Sequence, residues 1–404
     1  MAVNTLTFEQ VSTVLTSIVK QATGQTALTP TDTGSFTTVA QMALNASRDA
    51  VMNAISNVLA RTIFSIRPYS AKLTGLEMDS FRWGNMMRKL SIVDSDWQDD
   101  PGYAWPVTYD SSHSGHENGD GYEVDPWTIK KPNVLETNFY GASVYFDEMT
   151  ITEDQLETAF SGPEQLGSFL SLLMTNLSNR LEMSNEGLRR GLVCNAIAAM
   201  KAENNTDRNI HLLTEYNTLT GESFSKADIY NPVNFPAFAK WAYSRMANLS
   251  DLFEANSVKF QTVISGKPIL RHTPKEMQRI YMLSPIMQQF TARVLSDSYH
   301  DSFLNTADVE SLAYWQSIAT PDTVKASPVY TKASDGSVVT GSATTVENVV
   351  GLIFDRDCMG MTILDRRVLS TPVNTKGLYR NIHVHCKQRV FFDSTEKCAL
   401  ITLD

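Results

Sequence analysis

The clearest pattern along the chain is an apolar stripe of helical period between Ser161 and residue 203. Leu166, Phe169, Leu170, Leu173, Met174, Leu177, Leu181, Leu188, Leu192, Ala196 and Ala199 recur at three- and four-residue spacing. Ser161 and Glu164 stand at capping-box spacing, and Pro163 suits a first turn. The stripe predicts one helix about 35–40 residues long, roughly 55 Å from end to end. Asn176, Asn179, Arg180, Glu182, Asn185 and Arg189 fall off the stripe. The helix is therefore expected to lie along a sheet or shell rather than through a core. Gly187 near its centre costs about 1 kcal/mol relative to alanine.

Weaker helical patterns flank this one. Phe8, Val11, Val14, Leu15 and Ile18 predict a helix over 8–22, capped by Thr7. A second covers 36–60, from Val39 and Met42 to Ile55 and Leu59, and Gly24–Ser35 reads as a linker. Before Arg48 the only charged side chains are Glu9, Lys20 and Asp32. Such narrow stripes bury little alone, so this segment reads either as a terminal arm or, more sharply, as a segment that packs on a neighbouring subunit. Phe235, Phe238, Ala242, Met246, Leu249 and Phe253 predict a helix over 234–255. Residues 204–227 read as loop, 258–283 as mixed strand and turn, and 285–300 and 307–318 as short helices. From 320 onward the texture is strand-like, with a turn at Asp335-Gly336 and runs at 349–354, 360–364, 382–390 and 398–403.

Residues 103–131 alternate with period two. Tyr103, Trp105, Val107 and Tyr109 form one arm of a predicted hairpin, and Trp127 and Ile129 mark the other. The polar tip runs from Asp110 to Gly121. Pro106 and Pro126 remove ladder donors, so the hairpin should be a sheet edge or stand free of any sheet. Long helix, arm and hairpin would all be poorly buried in a monomer. Together they predict a subunit that completes its core by assembling with copies of itself.

Composition narrows the function classes. The 404 residues suit two to three domains. Four Cys cannot be a disulfide scaffold. The net charge of −10, without any block of like charges, argues against a protein that grips nucleic acid through its phosphates. A container for nucleic acid remains compatible. The first residues lack a basic region followed by an apolar one, and no apolar run approaches membrane-spanning length. A reducing cytosol is the expected site of synthesis.

Motifs for chemistry are missing or incomplete. The sequence has no GxGxxG and no GxSxG, and Gly266-Lys267-Pro268 lacks the rest of a phosphate loop. His116-Glu117 begins like a zincin helix, but Asn118-Gly119-Asp120 supply turn residues. Asp94, Asp96, Asp99 and Asp100 resemble the start of a calcium loop. Counting from Asp94, the required Gly and Glu positions hold Asp99 and Trp105, so they read as a solvated acidic turn. His383 and His385 share one strand face as a candidate metal pair, but zinc needs three or four ligands and Cys386 points the other way. Asp365, Arg366 and Arg367, and Asp355-Arg356-Asp357, read as structural ion pairs at strand ends. No catalytic, cofactor-binding or metal residue is assigned, and no cofactor is expected.

The ordered run of features resembles the major capsid proteins of tailed phages, which share the Johnson fold with herpesvirus capsids. More narrowly, it is similar to the capsid proteins of small short-tailed phages with protein-primed replication. Arg67-Pro68-Tyr69, then Met86 to Asp100, looks like the approach to that family's extended loop, and Lys131-Pro132-Asn133 to Gly141 like the strand returning from it. Ser161 to Asn179 resembles the start of the spine helix. Leu283-Ser284-Pro285 with Val294-Leu295-Ser296 resembles the central domain's helices, and Gly351 to Asp357 the return to the peripheral domain. The likeness spans about 65–404.

The resemblance implies an α+β Johnson fold with an N-terminal arm at 1–66 and a peripheral domain whose first part is 67–102. It further implies an extended-loop hairpin at 103–131, the rest of the peripheral domain at 132–230, an axial domain at 231–370, and C-terminal strands at 371–404 returning to the peripheral domain. No immunoglobulin-like domain is expected after Asp404, and no covalent cross-link at Lys130 or Lys131. The implied function is structural, not enzymatic. Copies would form hexamers and pentamers of an icosahedral head in the virion, assembled in the host cytoplasm around double-stranded DNA, with no membrane. The implied further partners are a scaffolding protein, a portal, and head-fibre or decoration proteins. The alternatives are a nanocompartment shell of the same fold, or an enzyme with a metal site at His383/His385 or the acidic turn.

Overall fold

A computed structural model describes residues 8–23, 30–46, 50–51, 54–55, 72–78, 86–93, 133–140, 143–267, 269–294 and 308–404. In chain order the elements begin with helices α1 (Phe8–Thr23) and α2 (Thr33–Ala46). Strands β1 (Glu77–Met78), β2 (Met86–Val93), β3 (Asn133–Tyr140) and β4 (Ser143–Thr152) follow. Helix α3 (Glu153–Ala159) leads into the long helix α4 (Pro163–Glu203). Then come β5 (Asn209–His211), α5 (Leu212–Thr220), α6 (Lys226–Ile229), α7 (Phe235–Glu254), β6 (Gln278–Leu283), α8 (Ser284–Val294) and β7 (Asp308–Leu312). Short strands β8 (Val324–Ala326), β9 (Val329–Thr331), β10 (Val338–Thr340) and β11 (Thr344–Val346) precede β12 (Val349–Asp355), β13 (Met359–Ser370), β14 (Tyr379–Phe392) and β15 (Cys398–Thr402).

A five-stranded sheet of order β5-β15-β12-β6-β7 forms one core. Its strands β12 and β15 are covered on both faces, so they read as unbroken apolar runs rather than alternations. Ile280, Met282, Ile353, Ala399 and Ile401 meet α7 through Phe238, Ala242, Met246 and Leu249. On the other face Tyr281, Leu283, Leu352, Phe354 and Leu400 meet Leu192, Val193, Ala196, Ile197 and Met200 of α4.

A four-stranded sheet has the order β1-β13-β14-β4. Its spine is the β13–β14 hairpin, paired from Met359↔Phe392 to Ser370↔Ile382 with a register shift between Ile363 and Asp365. Leu177 and Leu181 of α4 pack on Val384 and Cys386. Val11, Leu15, Ile18, Phe36, Val39 and Ala43 join Phe160, Leu166 and Ile382 in a further cluster.

The long helix is 41 residues, about 60 Å. It starts differently from the expectation. Gly162 occupies the N-cap, Pro163 the first turn, and Asn204 closes the helix in the left-handed region (φ 50°). Ser161 instead belongs to the preceding turn, its hydroxyl donating to the Thr158 carbonyl. The capping box is formed one helix earlier, by Thr152 and Gln155. The one-sided character holds for the first half only. Beyond Leu181 the helix enters the core, and Asn185, Glu186 and Arg189 are buried. These off-stripe polar residues have partners. Arg189 pairs with Glu77 and lies 3.7 Å from Glu182. Glu186 takes Arg190 at 2.8 Å, and Tyr145 donates to Asn185 at 2.9 Å.

Other expectations also change. The described N-terminal helices pack their stripes against α3, α4 and β14 of their own chain. Residues 204–227, expected as loop, contain β5, α5 and α6. Residues 308–312, expected as helix, form β7 because parallel pairing to β6 (Arg279↔Asp308 to Leu283↔Leu312) extends the sheet. That long-range pairing overrides local propensity. β13 and β14 belong to the four-stranded sheet, whereas β5 and β15 lie in the five-stranded one.

Candidate assembly surfaces

His383, His385 and Cys386 lie on β14 as the pattern predicts. The two imidazoles sit 6.4 Å apart on one face, while Cys386 is buried on the other against α4. Phe146 of the neighbouring strand β4 stands beside both imidazoles, at 6.4 and 5.9 Å from the rings. Among the described residues no group of three or more His, Cys, Asp or Glu is arranged to hold a metal ion. Asp365 pairs with Arg367 at 2.5 Å, and Arg366 faces Cys386 across the ladder. Asp355 accepts the Thr273 hydroxyl at 2.6 Å and the Asp357 amide at 2.8 Å, tying down the turn between the sheets. Gly266, with φ 67°, and Lys267 form a tight turn closed by Lys267 N–H to Ile264 C=O. The acidic turn Asp94–Asp100, His116-Glu117, and the hairpin 103–131 with Lys130 and Lys131 lie outside the described residues.

What the fold exposes is a sheet face. The inward residues of β14, Ile382, Val384 and Cys386, are buried, and the outward ones alternate with them as half-buried His383 and His385. On the same outward side stand Phe146 (63% exposed), Val144 (63%) and Leu369 (55%), bordered by Asp365, Arg367 and Lys387. Apolar side chains clustered on an open face signal a contact surface.

A second exposed surface belongs to the two-stranded ladder β2–β3. Val93 pairs with Asn133, so the ends of the segment 94–132 are held side by side. Leu90, Ile92 (66% exposed) and Val134 share the ladder's outer side. The opposite side is bound to the body by charge. Lys89 reaches Asp393 at 2.7 Å and also Glu396. Arg271 reaches Glu396 at 2.7 Å and donates to the Ser91 hydroxyl at 2.9 Å. Burial opposes charge on Lys89, but the two carboxylates outweigh it and hold its ammonium above the ordinary lysine value. Next in sequence, buried Lys397 donates to the carbonyls of Leu252 (3.3 Å), Phe253 (3.0 Å) and Ala255 (2.6 Å), capping the end of α7. Burial pushes its ammonium down to about 8.

Sequence reasoning missed this anchor. Lys89 and Arg271 are far in the chain from each other and from the Asp393/Glu396 pair, and nothing in local spacing relates the three. The only local hint is the acidic and hydroxyl-rich Asp393-Ser394-Thr395-Glu396 stretch between two apolar strands.

Among the described residues no helix is long and apolar enough to cross a membrane. No curated protein matches the sequence. Solved capsids share the fold. A chain of the capsid of Staphylococcus phage Andhra superimposes with a TM-score of 0.51 at 12% identity, covering 84% of this chain and 87% of that one. A chain from the structure of the head fiber and inner core protein gp22 of native bacteriophage P68 gives 0.51 at 11% identity, over 83% and 85%. The family description that fits residues 15–402 is the Phi29-like phage major capsid protein, which favours a phage head over a nanocompartment shell. Because that description fits residues 15–402 of the 404, the chain belongs to the Phi29-like phage major capsid protein family.

Proposed function

We propose that the chain acts as a shell subunit without catalytic chemistry, building hexamers and pentamers that close around double-stranded DNA. The observation that carries this reading is the open face of the four-stranded sheet. Phe146, Val144 and Leu369 form an apolar surface that the described chain leaves uncovered. The segment 94–132 of a neighbouring copy is the occupant. Its sequence supplies Trp97, Tyr103, Trp105, Tyr109 and Trp127, the residue types that dominate interface energy. In this reading the four-stranded sheet with the first half of α4 is the peripheral domain, and the five-stranded sheet is the axial domain. The net charge of −10 lets packaged DNA slide along a like-charged wall instead of sticking. Scaffolding, portal and head-fibre proteins are the further partners of such a shell.

The test is to replace 104–130 with a short Gly/Ser linker. The protomer should keep its helical circular dichroism and stay soluble, yet form no closed shells under electron microscopy. Normal particles from this variant would overturn the role of the segment.

A further inference from the structure

The open face of the four-stranded sheet carries ionisable side chains among its apolar ones. Across the ladders His383 lies between Glu148 of β4 and Leu369 of β13, and His385 between Phe146 and Arg367. One step further along, Lys387 lies between Val144 and Asp365. Both imidazoles are half-buried, while Glu148, Arg367 and Lys387 are exposed. Asp365 holds Arg367 at 2.5 Å. The opposite face of β14 is covered by Leu177 and Leu181 of α4. Among the described residues, the charged groups that face the histidines are therefore Glu148 from β4, Asp365 and Arg367 from β13, and Lys387 from their own strand. These two carboxylates and two cations cancel. With neutral imidazoles the face has no net charge, and with both protonated it carries two positive charges. The segment 94–132 has the opposite character. It holds nine Asp and Glu against Lys130 and Lys131, a net charge of −7 out of the chain's −10. His113 and His116 also lie in it, and with both protonated its net charge is still −5. Carboxylates ordinarily titrate near about pH 4, below the range of about pH 5 to 8 in which histidine changes charge.

Resting on the reading that this segment of a neighbouring copy covers the face, we propose that His383 and His385 make the contact acid-strengthened. Protonated, they turn a neutral landing surface cationic and draw the acidic segment onto it. The two kinds of side chain divide the work. Val144, Phe146 and Leu369 would hold any apolar partner, whereas the histidines select an acidic one and make its docking respond to pH. Above about pH 7.5 the apolar contact and the mutually cancelling fixed charges remain. Below about pH 6 the whole face attracts the segment. Salt screens exposed charges, to about 3 Å at 1 M. The acid gain should therefore fade at high salt while the apolar contact persists.

The experiment measures, by sedimentation, the concentration at which the full-length chain assembles at about pH 7.5 and about pH 5.5. The quantity read is the ratio of the first concentration to the second, in low salt and in about 1 M sodium chloride. Replacing both residues, His383→Gln with His385→Gln, should shrink the low-salt ratio about tenfold, the loss of two exposed charge contacts. His272→Gln, exposed in the connection between α7 and β6, should keep the ratio. His385→Lys, with its charge fixed, should shrink the ratio by lowering the concentration needed at the higher pH. A double variant with the full ratio, or a difference between it and the unaltered chain that high salt does not erase, would overturn the proposal. Phe146→Asp separates it from the reading beneath it. Blocked assembly of Phe146→Asp with a full ratio in the double variant overturns the histidine role alone. Normal assembly of Phe146→Asp overturns docking on this face itself.

Discussion

The five-stranded sheet and the four-stranded sheet solve the same burial problem in different ways. In the first, every residue of β12 and β15 is buried, because α7 covers one face and the end of α4 the other. In the second, β14 alternates between half-buried and buried positions from Tyr379 to Cys386, and β4 between exposed positions and buried or half-buried ones from Val144 to Ile151. One face lies under α4, while the other presents Phe146, Val144 and Leu369. The first sheet is finished by its own chain. Under the proposed function the second is finished by a neighbouring copy, so one protomer carries a closed core and an open face side by side.

Charge substitutions should separate the two most sharply. Leu400→Asp places an unpaired carboxylate in the closed sheet, at a cost of several kcal/mol, a large share of a domain's stability. Insoluble protein is expected. Phe146→Asp should leave a soluble, folded protomer that does not assemble. Equal solubility and equal assembly of the two variants would erase the distinction.

The next effect concerns the helix that joins the sheets. Glu77→Ala removes the close partner of fully buried Arg189, leaving Glu182 at 3.7 Å. Breaking a buried pair in this way costs about 3 kcal/mol, seen as a lower denaturation midpoint. A change under about 0.5 kcal/mol would mean that Arg189 is solvated. Smaller again is truncation on the open face. Phe146→Ala should move protomer stability by no more than about 0.5 kcal/mol, whereas Leu400→Ala should cost about 2–5 kcal/mol. Chemical denaturation of both variants reads the difference directly.

The smallest effect belongs to the ladder anchor. The folded pKa of Lys89 is raised above 10.5 by Asp393 and Glu396. Its contribution is therefore complete below that value and lost as pH climbs through the folded one. Hydrogen exchange at 86–93 should accelerate above pH 10.5, relative to 349–355 corrected for intrinsic rate. Lys89→Met should remove that extra acceleration.

Much of the closed core was legible in the sequence. The α7 stripe appears where Phe235, Phe238, Ala242, Met246, Leu249 and Phe253 predict it, and all six are buried. The β9–β10 hairpin forms around Asp335-Gly336, with Val338 opposite Thr331. The failures share a cause. Arg189 reads as solvent-facing because periodicity reports one helix face and says nothing of Glu77, which lies 112 residues away. Residues 308–312 become a strand only through an edge supplied by β6. The open face was visible as alternation in β14, but which side would stay open depended on where α4 lies. The Lys89 anchor joins residues more than 300 positions apart, beyond any local pattern.

The central claim is that the outward face of the four-stranded sheet is an assembly surface completed by a neighbouring chain. A reconstruction of the assembled particle by electron cryomicroscopy tests it most directly. The account predicts hexamers and pentamers in which residues from 94–132 of an adjacent copy cover Phe146, Val144 and Leu369. A particle in which those three side chains face bulk solvent on every subunit would contradict it.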